Sequence, residues 1–254
     1  MDDIIKLLQE LMSKKPTPKG GIADTAAGVE FIGKKLSKET IELIKNFATI
    51  NSNLLLKEGS KLSTISAQKN VMADVDVTET FPSFGIYDLN EFLAAMSLFD
   101  DPELTFSPDN KSVVFSQGGI GSYKFFAADA SVLTAPTKEI TFPAHEIEFD
   151  MSAALLNLIH KSGSVSRSAD VSVIGDGSKM TVYVGDKKNA TANAFSNVVG
   201  TTDKTFKVNL KVENLKMLPG DYKVSISSKK ISRFKSNRSL VYYVAVEADS
   251  TFEV

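Results

Sequence analysis

Two short segments, "DPELTFS" at residues 101–107 and "DYKVSIS" at 221–227, lie 120 residues apart and share one layout of charged start, alternating middle and closing serine. A second pair, "FAADAS" at 126–131 and "VEADST" at 246–251, has the same separation. One offset shared by two pairs marks an internal repeat. Around these segments a pattern recurs four times, a short helix followed by strands of alternating polarity. Residues 37–49 precede "NLLLKEGSKLSTIS", and "DLNEFLAAMSLF" at 88–99 precedes "ELTFSPDNKSVVFS" and "SYKFFAAD". "DMSAALLNLIHKS" at 150–162 precedes "DVSVIGDGSKMTVYV" and "ATANAFS", and "KVENLKML" at 211–218 precedes "DYKVSISSKKISRF" and "LVYYVAVEAD". The turns "KEG", "SPDN", "GDGS" and "SSKK" have hairpin chemistry. One such unit cannot bury its apolar faces alone. Two side by side form a curved antiparallel sheet backed by two helices, so the expected class is α+β with two similar domains. Their expected bounds are 34–132 and 146–254, joined by a proline-bearing connector at 133–145 and preceded by an extension, residues 1–33.

The composition narrows the chemistry. The chain has 254 residues, 43% hydrophobic and 24% charged, with a formal net charge of -2, which argues against coating nucleic acid through bulk charge. It contains no cysteine, which excludes disulfides, thiolate metal sites and cysteine nucleophiles, and only two histidines, His145 and His160. No phosphate-binding glycine loop or zinc-protease signature occurs. Asp74 and Asp76 alternate on one strand face and suit a polar outward surface better than a magnesium site, and "SQGGIGS" at 116–122 suits a glycine-rich turn. No catalytic residue, metal site or cofactor is expected, and the chain reads as a non-enzyme. The N-terminal stretch "MDDIIKLLQELMSKK" carries charges inside its apolar pattern, unlike a secretory signal. Ile4, Leu7, Leu8, Leu11 and Met12 make a helical stripe over residues 2–14, and "PTPKGGIADTAAG" follows as a linker. The expected location is cytoplasmic.

Long segments carry a family resemblance. "LSKETIELIKNFATINS" (36–52), "IYDLNEFL" (86–93), "MLPGDYK" (217–223) and "YVAVEADST" (243–251) closely resemble the sliding clamp of T4-type bacteriophages. The resemblance covers Lys34 to Val254 and leaves the first 33 residues outside. It implies the DNA-clamp fold, with helices lining a ring of three subunits and sheets forming its outer wall. It also implies the function of such a ring. The clamp encircles duplex DNA without regard to sequence, tethers the phage DNA polymerase for processive synthesis and is opened by a clamp loader ATPase. It further implies a mobile activator of late transcription, with a late-transcription sigma factor and co-activator as partners, in an infected bacterial host cell. The alternative from the residues alone is a non-catalytic oligomeric scaffold that does not encircle DNA.

The resemblance gives the basic residues a role. Over 37–49, Ile41, Ile44 and Ala48, flanked by Phe47, form the expected buried stripe, and Lys38 and Lys45 share a face seven residues apart. Lys34 and Lys35 precede that helix. Lys161 and Arg167 lie at the end of the third helix, and Lys211 and Lys216 fall on the fourth. By residue chemistry these lysines are either a solvated face pairing with Glu42 or a phosphate-facing stripe. The resemblance favours the stripe, although the helix at 88–99 carries Asp88 and Glu91 and no basic residue. A partner groove with apolar anchors is expected at Leu133, Pro136, Ile140, Phe142, Val246 and Phe252. Strand 121–128 of one subunit is expected beside 190–197 of the next.

Overall fold

A computed structural model describes residues 33–189 and 191–253. The expected helix at 2–14 and its linker lie outside the described residues. Contacts divide the chain into two units, one holding Gln68–Met72 and everything from Ile140, the other running up to Ala67 and again over Ala73–Glu139.

In the earlier unit, α1 (Lys38–Ile50) starts because Ser37 Oγ accepts a hydrogen bond from the Thr40 N–H. Glu79 closes the same end, accepting from the Ser37 N–H at 2.6 Å and from the Thr40 hydroxyl at 2.7 Å. At the other end Asn51 donates to the carbonyls of Ile65 and Thr134. The buried face of α1 is Thr40, Leu43, Ile44, Asn46 and Phe47. The stripe is thus rotated from the expected one: Ile41 and Ala48 sit at its margin, half-buried. The turn "KEG" joins β2 (Leu54–Leu56) to β3 (Gly59–Ile65), which pair with different strands and so form no hairpin. β2 pairs with β5 (Phe84–Ile86), and β3 lies beside β4 (Val71–Phe81).

The helix α2 (Leu89–Met96) is capped by Asp88, whose carboxylate accepts from the N–H groups of Asn90 and Glu91. It presses Phe92 edge-on against Phe115 and Phe125. Those rings belong to an antiparallel sheet of β1 (Lys34–Lys35), β6 (Glu103–Phe106), β7 (Ser112–Gln117) and β8 (Gly121–Phe126), in that order. The glycine-rich segment is the β7–β8 turn, as read.

In the later unit, β9 (Ile147–Met151) occupies the start of the third expected helix, so α3 (Ala153–Ser166) begins only at its Ser152 cap. A second sheet has the order β12-β11-β10-β13-β17, from β12 (Phe195–Thr201), β11 (Lys179–Val184), β10 (Asp170–Asp176), β13 (Thr205–Lys211) and β17 (Thr251–Glu253). β9 pairs with β14 (Tyr222–Ser227), β14 with β15 (Ile231–Ser236), and β15 with β16 (Val241–Ala245), all antiparallel.

The fourth expected helix is absent. β13 runs on through Lys211, and a single 3-10 turn, Val212–Asn214, follows. Leu215 and Met217 are both buried with exposed Lys216 between them, the spacing of an extended chain. No side chain caps the turn, and Pro219-Gly220 cuts off any continuation.

The repeat itself is real in three dimensions. The order β1-β6-β7-β8 in one unit is matched by β9-β14-β15-β16 in the other. "DPELTFS" supplies β6 and "DYKVSIS" supplies β14, equivalent strands, although the first run of four ends at β8 and the second belongs to a six-stranded sheet in which β16 is followed by β4 and β3.

Candidate nucleic-acid interface and open sheet edges

Lys38 and Lys45 stand exposed on α1, on the side opposite Leu43 and Phe47, with exposed Glu42 between them. Among the described residues neither lysine forms an ion pair. The i,i+3 and i,i+4 pairs with Glu42 are not made, and both ammonium groups face solvent. Lys34 and Lys35 form β1 rather than a lead-in to α1. Lys35 is engaged by Asp101 at 2.5 Å, and that hydrogen bond and charge raise its pKa. The exposed side of α2 is Asn90, Glu91 and Ala94, with no cation.

In the later unit, Lys161 is exposed on α3 beside Leu158 and Val165, which are 45% and 87% exposed. Arg167 is the exposed C-cap, in the left-handed conformation at φ 52. His160 is half-buried. Lys211 corrects the sequence expectation. It ends β13 and donates to Asp170 Oδ1 at 2.7 Å, so it is committed to its own sheet. Lys216 is exposed, on the loop after the 3-10 turn rather than on a helix.

The expected groove residues divide between the two units. Leu133 packs on Gly85 so closely that a Cβ there would lie 2.9 Å from Leu133 Cδ1. Pro136 is buried, and its carbonyl accepts from Lys57 Nζ at 3.0 Å. In the later unit Ile140 is buried, and Phe142 lies under the Arg233 guanidinium at 4.4 Å, beside Tyr243. Phe252 is half-buried and opposite Phe206. Val246 is fully buried, which corrects its assignment as a surface anchor. The main chain explains this: the Val246 N–H is bonded to the Lys230 carbonyl, which turns the side chain into the core.

Two outer strands stand out. β8 is the last strand of its sheet, and Phe126 on it and Ile120 in its turn are 68% and 74% exposed. Lys124 Nζ sits 5.0 Å from the Phe126 ring. β12 is the last strand of the five-stranded sheet, and its Val198 is 57% exposed. An outer strand with apolar side chains and unpaired main-chain groups is a template for another strand. Composition signals neither exposed face. Only the position of the strands in their sheets does.

Comparison with known proteins decides the family. A family model described as gp45 sliding clamp, C terminal, matches residues 159–248. The sliding clamp of Vibrio phage KVP40 is 34% identical over 222 residues, covering 84% of this chain and 99% of that protein. The chain belongs to the sliding-clamp family. The sliding clamp of Enterobacteria phage T4 is 32% identical over 232 residues, 86% of this chain and 99% of its own length. Among solved structures, the proliferating cell nuclear antigen of Entamoeba histolytica superposes with a TM-score of 0.62 at 13% identity, covering 82% of this chain and 94% of that one. The corresponding protein of Thermococcus kodakaraensis gives 0.62 at 15% identity, over 83% and 96%. At such identities the likeness is one of fold, and it shows the clamp fold here. Sliding clamps are processivity factors and not enzymes, so the chain's work is binding and tethering.

Proposed function

We propose that three copies of this chain close into a ring around duplex DNA and hold a phage DNA polymerase on its template. The observation that carries this reading is the match to phage sliding clamps over 99% of their length. The edges described above support it physically. β8 of one subunit adds to β12 of the next, extending one sheet into another and covering Phe126, Ile120 and Val198. The two halves, 34–132 and 146–254, joined by 133–145, then supply six domains to a ring of three.

In this ring α1, α2 and α3 face the hole. Lys38, Lys45, Lys161 and Arg167 address the phosphates, with Lys34, Lys35 and Lys216 nearby. Each exposed ion contact contributes only about 0–1 kcal/mol, and lysine on a flexible stem makes no fixed base contact. Binding is then independent of sequence and sensitive to salt. Retention comes from closure of the ring, so weak contacts leave the clamp free to slide. A clamp loader ATPase opens the ring, and the loaded clamp serves a late-transcription sigma factor and co-activator as well as the polymerase, in the cytoplasm of the infected bacterium. Of the expected groove residues, half-buried Leu133 in the earlier unit and half-buried Phe142 and Phe252 in the later are the candidates to anchor their peptides.

Primer extension on a long circular template, with polymerase and loader, tests the reading. Addition of the chain is expected to lengthen products at unchanged polymerase concentration. Product lengths that do not respond to the chain in the presence of loader and ATP overturn it.

A further inference from the structure

Most ion pairs of the described residues lie at the surface, such as Lys35–Asp101 with side chains 50% and 62% exposed. One network does not. Lys187 donates to Asp249 Oδ2 at 2.7 Å and approaches Asp170 Oδ1 at 3.4 Å, with the Lys187 and Asp170 side chains only 12% and 15% exposed. Lys211 binds the same Asp170 oxygen at 2.7 Å. Asn209 donates to Asp249 Oδ1 at 3.1 Å and accepts from the Ser172 hydroxyl at 2.7 Å. Burial opposes the charge on Lys187, yet the Asp249 and Asp170 carboxylates hold its pKa above the ordinary lysine value. The Lys187 hydrogen bond holds the Asp249 pKa below the ordinary carboxylate value.

The position of Lys187 gives the network its meaning. It lies in the connection 185–194 between β11 and β12, where Val184 pairs with Phe195. That connection closes tightly at its base, since a Cβ on Gly185 would meet the Ala194 Cβ at 2.8 Å. From there Lys187 reaches across the end of the sheet to Asp170, the first residue of β10, and to Asp249 in the turn before β17. β12 has a partner strand on one side only. The Lys187 tether therefore anchors the connection leading into an open strand to the far side of the same sheet.

We propose that Lys187 is a positioning residue that latches the β11–β12 connection, holds the open strand β12 in register, and thereby sets the strength of the contact between subunits. This deepens the ring reading and rests on it for the last step. Losing Lys187 removes the cation bound to Asp249, whose side chain is 52% exposed, while Asp170 keeps Lys211, so the connection loses its tie to the far side of the sheet without the sheet itself losing its ion pair.

The test uses the full chain. Lys187→Met and Asp249→Asn are expected to speed amide hydrogen exchange of residues 195–201 about tenfold in the dissociated protein, while β10 and β13 exchange as before. In sedimentation velocity the same variants are expected to associate roughly tenfold more weakly. Lys187→Arg, which keeps both carboxylates paired, restores both readings. Exchange at 195–201 that does not change, or that rises equally throughout the sheet, overturns the latch and leaves the network a general stabiliser. If Lys187→Met does not fold, Asp249→Asn and Lys187→Arg decide alone. If the unsubstituted chain fails to associate, the ring reading falls, and hydrogen exchange still decides the latch. Faster exchange at 195–201 with unchanged association also overturns the proposal, since β12 would then not set the contact.

Discussion

β8 and β16 occupy the same place in the repeat, yet they live in opposite surroundings. Phe126 and Val246 head sequence segments 120 residues apart and are 68% and 0% exposed, and the residue that takes the place of Phe126 in the sheet, Ala245, is 4% exposed. By ladder position Tyr123 is exposed where its counterpart Tyr242 is fully buried, and Lys124 is exposed where its counterpart Tyr243 is half-buried. The difference teaches that a repeat copies the strand and not its cover. β8 keeps apolar residues typical of a covered strand while standing at a sheet edge, the condition expected of a surface that another copy completes.

The sharpest way to break the comparison is to place one charge at both positions. Val246→Asp buries a carboxylate without a partner and is expected to destabilise the chain by on the order of 4 kcal/mol, seen as a collapse of the urea midpoint. Phe126→Asp should leave that midpoint within about 0.5 kcal/mol of the unsubstituted chain, because the site is exposed. It should instead cost about 2 kcal/mol of association, measured by sedimentation equilibrium. Equal loss of stability in the two variants would erase the distinction between the strands.

Tyr242 sharpens it further, since the equivalent residue of β8 is the exposed Tyr123. The Tyr242 hydroxyl accepts from the Leu218 N–H at 3.1 Å, and Tyr222 donates to the Leu218 carbonyl at 2.6 Å. Burial pushes the Tyr242 pKa up to about 12, and burial raises that of Tyr222 as well. Both phenols are neutral in the fold and ionise more readily when unfolded. Their contribution is therefore whole below pH 10, the ordinary tyrosine value, and is lost as pH rises towards 12. Tyr242→Phe should cost about 1 kcal/mol at neutral pH and flatten this alkaline decline, read from urea midpoints at a series of pH values.

The smallest effects on stability are expected on the helices. The exposed face of α1 carries Lys38 and Lys45, whereas that of α3 carries Leu158 and Val165 around Lys161. Replacing Lys38, Lys45, Lys161 and Lys216 together by Ala should alter stability by no more than about 0.5 kcal/mol each. It should shorten the products of loader-dependent synthesis, most at high salt. The α1 pair should account for more of that loss than Lys161 alone. Product lengths unchanged across salt concentrations would remove these lysines from the DNA interface.

What was legible in the sequence was local. The first two helices start where the pattern put them, because Ser37 and Asp88 each cap a helix through a short side chain that reaches an N–H two or three residues on, a geometry that needs no distant partner. The turns at 107–110, 175–178 and 227–230 join paired strands for the same reason. The 120-residue offset located equivalent strands, since strand alternation survives in any sheet that buries one face.

Only the tertiary structure decided the rest. "KVENLKML" contains helix-forming residues, but β13 extends into it and Leu215 and Met217 are drawn into the core at extended spacing. Lys211 looked free on the sequence and is bound to Asp170, which is 41 residues away. The α1 stripe turned towards Leu43 and Phe47 because Glu79 and Asn51 hold the two ends of the helix. Val246 and Phe126 were indistinguishable until their neighbours were in place. The physical reason is common to all four: burial and ion pairing are made by residues far apart in the chain. A local pattern specifies which faces a segment offers, and the packing of the other segments decides which of those faces is covered.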